Sequence, residues 1–285
     1  MNVLKTGVLL VVLSVLLVAV GQVIGGPQGA TAALGLSLLM NLFAYWFSDK
    51  IVLAMYRAKP LAEGDAPQVW RVMREIVART GMPMPKLYAI PAMTPNAFAT
   101  GRSPRRAAVA VTTGLLRLMN EEELKGVLAH ELSHVSNRDT LVMTVAAALA
   151  GAIMWLANMA RWGLMFGGGH RDDRRGGNAV MQLIALLLII VLAPLAAMLV
   201  QLAISRTREY GADETGARVA GSPYGLADAL LKLHQAAHES PMPNANAATA
   251  HLFIVNPLSA STIARLFSTH PPVEERVRRL RAMRL

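Results

Sequence analysis

The chain has no cysteine among its 285 residues. That absence excludes a disulfide framework and any thiolate-bound metal, so a metal site here has to be built from histidine and carboxylate. Aromatic residues are scarce, at 5%, which leaves few rings for stacking on bases. Charge is thin and lopsided: 16% of residues are charged, with 28 Lys and Arg against 18 Asp and Glu. The resulting +10 is not concentrated in a basic block with interleaved aromatics, so no nucleic-acid partner is expected. The basic residues lie instead around long uncharged runs, as they do beside a membrane.

What the chain has in excess is apolar side chains, 54% of the total, with a mean hydropathy of +0.39. They gather in four blocks, Thr6–Gly26, Gly29–Ser48, Thr140–Ala160 and Ala179–Ser205. At a rise of ~1.5 Å per residue each could cross a bilayer core. The first has no small-x-small cleavage site and the second follows at once, so the pair is expected to be an uncleaved hairpin. Its link, Gly25–Gly29, carries no basic residue, whereas Lys5, Lys50, Arg57 and Lys59 flank its ends. The positive-inside rule then puts both ends in the cytoplasm and makes the lipid bilayer a partner. The loop between the third and fourth blocks carries Arg161, Arg171, Arg174 and Arg175. This runs against the same rule, so these two blocks either cross or pack together without fully crossing.

Between the blocks the pattern changes. Asp65–Thr80 has helical period, with Val69, Val72, Met73 and Ile76 apolar and Gly81 as its stop. Lys86–Ile90 and Ala107–Thr112 predict short strands, separated by turn signals at Pro95-Asn96 and Gly101-Arg102-Ser103. Asn120 and Glu123 form a capping-box pattern that opens a further helix. Helices are also expected over Ser205–Ala220, Pro223–Ala237 and the basic amphipathic tail from Pro272, with Glu239–Ala250 a loop.

The helix opened by Asn120 contains His130-Glu131-Leu132-Ser133-His134. Histidines four apart project from one helical face and can reach one ion. Glu131 is rotated about 100° from His130, off the ligand face. There it is placed to deprotonate a metal-activated water, the general-base role of a zinc hydrolase. A catalytic zinc needs a third protein ligand, and Glu209 in Arg208-Glu209-Tyr210-Gly211-Ala212-Asp213 is the best candidate. Asp213, one turn on, could fix the tautomer of a ligand histidine; alternatively Arg208, Glu209 and Asp213 are a solvated helix face. Since two successive spans return the chain to the side it left, His130, His134 and Glu209 can meet at the cytoplasmic boundary.

With these residues in hand the chain resembles the HtpX-type membrane zinc metallopeptidases, cousins of the CAAX prenyl proteases. The resemblance runs over nearly the whole chain. It rests on the two N-terminal apolar runs, Asn96-Ala97-Phe98-Ala99, the HExxH helix, the second apolar pair, Arg208–Asp213 and Thr269-His270-Pro271-Pro272. It implies one zinc ion on His130, His134 and Glu209, Glu131 as base, and Asp213 behind the ligands. It further implies that Asn96 holds the substrate backbone beside an edge strand, and that His270 and Arg276 steady the oxyanion. From the residues alone, Asn96 is equally a turn residue, His270 a helix-entry residue and Arg276 a surface charge.

The expected architecture is a mostly α membrane protein, a zincin-like metalloprotease domain with a small β-sheet and about four hydrophobic helices. Its parts are an N-terminal hairpin at 1–50, a cytosolic part with the HExxH helix at 51–139, a second hydrophobic hairpin at 140–205 and a C-terminal part with the third ligand at 206–285. The implied substrates are misfolded membrane proteins and unfolded polypeptides. Two alternatives compete. A site-2-type intramembrane protease also carries HExxH, but its Asn-Pro-Asp-Gly segment has no counterpart here, where Asn256-Pro257 precedes Leu258-Ser259. A membrane-anchored binding protein with a vestigial metal site is disfavoured by the intact Glu131, Glu209 and Asp213. His234 and His238 repeat the i, i+4 spacing, but Gln235 replaces the base.

Overall fold

A computed structural model describes residues 2–166, 206–239, 249–255 and 271–285. The chain opens with α1, Asn2–Met55, whose two arms meet at a break where Gly26 takes a left-handed φ of 59°. The arms lie side by side. Asn41 Nδ2 donates to Leu10 O at 3.3 Å and Ser14 Oγ at 2.9 Å, and a Cβ on Gly21 would stand 2.5 Å from Gly29 O. The two arms therefore pack against each other as a pair. Its second arm, Gly25–Met55, is the one helix among the described residues long and apolar enough to cross a membrane. Leu39, Leu42 and Phe43 on this arm are all more than half exposed, as lipid-facing residues would be.

The sheet has four strands, β1 (Lys59–Pro60), β2 (Lys86–Ile90), β3 (Ala97–Thr100) and β4 (Ala108–Thr112), in the order β1-β2-β4-β3. Only the β2–β4 pair is parallel. The strands expected at 86–90 and 107–112 are there, and the structure adds β1 and the edge strand β3. Gly101, at φ 119°, turns the chain out of β3, and a Cβ there would strike Arg106 O at 2.3 Å.

Helix α2 (Pro67–Thr80) buries Val69, Val72, Met73 and Ile76 and ends where Gly81 adopts φ 68° and donates to Val77 O. After the short α3 (Thr113–Leu118) comes α4 (Glu121–Ser136), the centre of the fold. Asn120 Oδ1 accepts from Glu123 N at 2.9 Å, and Glu123 Oε2 accepts from Asn120 N at 3.0 Å. The predicted box therefore satisfies two donors at the helix start. From Leu124 to Val135 nearly every side chain of α4 is buried, because α2, β3, α6 (Arg206–Ala220) and α7 (Tyr224–Glu239) all pack on it. The tail helix α8 (Val273–Arg281) closes over α6 and α7 through Val273, Val277 and Leu280.

Helix α5, Asp139–Phe166, carries the third apolar block. Its first half, from Leu141 to Ala150, is buried and packs along α1. The fourth apolar block lies outside the described residues, so four spanning helices are an expectation of which one arm is seen.

Candidate active site

The site is assembled by two helices. Helix α4 presents His130 and His134 one turn apart, and α6 presents Glu209 from its own first turn. Gly216 allows the two backbones to approach: a Cβ there would sit 2.9 Å from His130 Cα. The two Nε2 atoms are 3.2 Å apart. Glu209 Oε1 is 3.6 Å from His134 Nε2, and Oε2 is 3.9 Å from His130 Nε2. A tetrahedral ion with bonds of roughly 2.0–2.1 Å holds its ligand atoms about 3.3 Å apart, so a small inward movement of Glu209 completes the set. These three residues are the one His, Asp and Glu group of metal-site spacing among the described residues, and all three are buried.

The surroundings fix which atoms face the ion. His130 Nδ1 lies 3.0 Å from Asp213 Oδ1, and His134 Nδ1 lies 3.3 Å from Asp139 Oδ2. Each Nδ1 is turned toward a carboxylate, which leaves the two Nε2 atoms facing each other and Glu209. That arrangement is repulsive unless a cation or a proton lies between them. Burial holds His130 down to about 4, against the opposing pull of Asp213. Burial also pushes His134 down, but Glu209, Asp139 and Glu131 outweigh it and carry the imidazole to about 8.

Glu131 is held apart from the ligands. Its Oε2 accepts from Ala99 N of β3 at 2.8 Å. Burial first, then the Glu209 charge, raises its carboxyl to about 8, while His134 and the Ala99 amide oppose the rise. A carboxyl poised in that range can both take and return a proton near neutrality.

Arg276, fully buried, braces the other side. Its Nη2 and Nε donate to the two oxygens of Asp213 at 2.6 and 2.8 Å, and Nη1 donates to Ile254 O at 3.0 Å. Burial would raise the Asp213 carboxyl, but the guanidinium and His130 hold it below the usual carboxylate range. Asn96 is buried at the entry to β3. Its Nδ2 donates to Val255 O at 2.8 Å, and Ile254 N donates to Ala97 O at 3.2 Å. The segment Phe253–Val255 thus lies along the outer edge of β3.

The family model of peptidase family M48 matches residues 63–284. The chain belongs to family M48. The M48 chain is 59% identical over 283 residues to a protein named "Protease HtpX homolog" of Thermodesulfovibrio yellowstonii, covering 99% of each. It is 56% identical over 279 residues to the protein of the same name of Syntrophobacter fumaroxidans, covering 98% of each. A third such homolog, of Pyrococcus furiosus, is 52% identical over 97% of this chain and 94% of its own. The crystal structure of S. mikatae Ste24p overlays with a TM-score of 0.49 at 18% identity, over 86% of this chain and 56% of that one, a likeness too loose to place any residue.

The structure brings His130, His134, Glu131, Glu209, Asp213 and Arg276 of the M48 chain together, with Asn96 one residue before the strand that meets Glu131. Arg276 is no surface charge. His270 lies outside the described residues. His234 is half-exposed on α7 and pairs with Glu274 at 3.7 Å. His251 Nε2 lies 3.1 Å from Met143 O, which can only accept from it, and His251 joins no metal group among the described residues. Helix α4 begins with three glutamates and is enclosed by other parts of the domain, which disfavours an intramembrane reading of the HExxH helix. The sequence does not mark Asp139 as a site residue. Its signal was a lone acid at the mouth of an apolar run, five residues after His134, where a buried charge needs a partner.

Proposed function

We propose that the chain is a membrane-bound zinc endopeptidase that cuts cytoplasmic loops of misfolded or damaged membrane proteins and other unfolded polypeptides. The observation that carries this reading is the meeting of His130, His134 and Glu209 around one point, with Glu131 beside them and tied to an edge strand. Zinc suits a set of two imidazoles and one carboxylate, and when bound it supplies Lewis acidity toward a carbonyl and a water. Beside that set, Glu131 would serve as the base, taking a proton from the attacking water and returning it to the leaving amine. Asp213, held by Arg276, keeps His130 turned so that Nε2 points to His134 and Glu209. Arg276 adds positive charge where the carbonyl oxygen would become an oxyanion, the role the resemblance also implies for His270. Asn96 holds a substrate backbone extended along β3, a strand-addition mode that needs an unfolded segment.

The neighbourhood supports this substrate class. Helix α5 starts five residues after His134 and runs into the apolar part, and α1 packs along it. At ~1.5 Å per residue the zinc site lies within roughly 10 Å of the membrane boundary. A folded soluble domain cannot thread an extended segment into that position, whereas the loop of a membrane protein can. The test is zinc content and casein cleavage of the purified chain, with and without Glu131→Gln. The variant should keep one zinc per chain and lose hydrolysis, since the near-isosteric amide cannot take a proton. Peptidase activity near the parent level in that variant would remove Glu131 as the base.

A further inference from the structure

Each ligand histidine of the site leans on its own carboxylate, and each carboxylate on its own arginine. On one side stand His130, Asp213 and Arg276. On the other, His134 Nδ1 lies 3.3 Å from Asp139 Oδ2, and Arg208 Nη1 lies 3.6 Å from Asp139 Oδ1. Asp139 is 2% exposed and His134 is 4% exposed, so their contact is shielded from water. The two relays differ in where they come from. Asp213 and Arg276 belong to α6 and α8, within the cytosolic domain. Asp139 is the first residue of α5, the helix that packs along the membrane arm of α1. Arg208 precedes the ligand Glu209 on α6.

We propose that Asp139 is a positioning residue for the metal, holding His134 as Asp213 holds His130, with Arg208 as its brace. A histidine that gives its Nδ1–H to a carboxylate is fixed in tautomer and in ring rotation, and its Nε2 becomes a better donor to a metal. Asp139 meets that requirement for His134, as no other described carboxylate does at Nδ1. A further geometric point supports the assignment. Thr140 Oγ1, the next residue, donates to Gly101 O at 2.9 Å, and Thr144 Oγ1 lies 3.0 Å from Thr100 Oγ1. The first turns of α5 are thus pinned to the end of β3 and cannot swing Asp139 away from His134. Metal affinity then depends on how the apolar helix is seated, so the membrane-side part of the chain is a component of the site rather than only its anchor.

This inference rests on the metal reading given above, and its test separates the two. Full-length protein in detergent is titrated with Zn²⁺ against a competing chelator, and with Co²⁺, whose visible bands report ligand geometry. Folding is followed by circular dichroism. Asp139→Ala should bind Zn²⁺ roughly 10–100-fold more weakly, with shifted Co²⁺ bands, while Asp139→Asn, which still accepts from Nδ1–H, should lose less than Asp139→Ala. Combining Asp139→Ala with Asp213→Ala should multiply the two losses, because each acts on a different histidine. A folded Asp139→Ala protein with parental Zn²⁺ affinity and unchanged Co²⁺ bands would overturn the proposal. If Asp139→Ala does not fold, Arg208→Gln decides: a fall of about threefold or more supports the brace, and no change overturns it. Failure of the parent to bind either ion would instead sink the metal site itself.

Discussion

Replacing Arg276 with methionine removes a guanidinium of similar length that is 0% exposed and spans three parts of the site. Two of its bonds go to Asp213 at 2.6 and 2.8 Å and one to Ile254 O at 3.0 Å. The loss leaves the Asp213 carboxylate buried without its main counter-charge, and removing one partner of such a pair costs about 3–5 kcal/mol. In a folded unit of this size that lowers the melting midpoint by roughly 6–20 °C. The assay is a thermal melt in detergent at fixed scan rate, with metal chelated. The double variant Asp213→Leu/Arg276→Met removes both charges and should recover most of the lost stability, as buried pairs replaced together commonly do. Its zinc affinity should stay low by roughly 10–100-fold, since His130 Nδ1 has lost the carboxylate that faces it at 3.0 Å. Stability and metal affinity therefore part company in the double variant. A single variant that melts within about 2 °C of the parent, or a double variant that melts no higher than the single, would refute the account of Arg276 as a buried counter-charge.

Zinc affinity should fall with acidity by roughly tenfold per unit below pH 8, because the ion displaces one proton from His134, which titrates at about 8. The sign is fixed: below that pH the proton competes and above it it does not, so chelator competitions giving equal affinity at pH 6 and pH 8 would contradict it. Gly216→Ala should weaken both fold and metal binding, since its Cβ would press on the His130 backbone at 2.9 Å, at a cost of about 1–3 kcal/mol. Gly211→Ala on the same helix meets nothing within 4 Å and should instead raise stability by about 0.5–1 kcal/mol; reversed outcomes in paired melts would show the α4–α6 packing to be misplaced. Asn120→Ala should cost about 1 kcal/mol through the lost cap with zinc affinity unchanged, checked by melts and metal titration on one sample.

Local chemistry was legible in the sequence wherever a few neighbouring residues decide the outcome. Asn120 and Glu123 close a box with each other, Gly81 ends α2 with a left-handed turn, and His130 with His134 shares a face whatever the rest of the chain does. The strand β3 was not legible as a strand. Its four residues, Ala97–Thr100, are buried throughout, so they show no alternation, and they lie between two turn signals. Arg276 in isolation resembles any other base on a basic tail, and only the packing of α8 on α6 brings it to Asp213. Asp139 stood where a membrane-flanking charge is expected, and its contact with His134 depends on the turn at Arg138, which adopts a left-handed φ of 58°. Such contacts belong to the tertiary fold and leave no periodic trace.

The pairing of Phe253–Val255 with β3 changes what it means for a peptide to join that strand. A bare edge strand beside a membrane would be a template for any exposed strand of any chain, including a second copy of this one. Here Ala97 O already has Ile254 N, Ala99 N has Glu131, and the Asn96 amide has Val255 O. A peptide entering along β3 therefore exchanges backbone partners rather than gaining them, and the count of hydrogen bonds hardly changes. On the proposed reading, backbone pairing at this edge would be close to neutral, and selection would fall to the side chains the newcomer buries and to the carbonyl it offers the site. The same arrangement that keeps the edge from aggregating makes the site indifferent to strands as such.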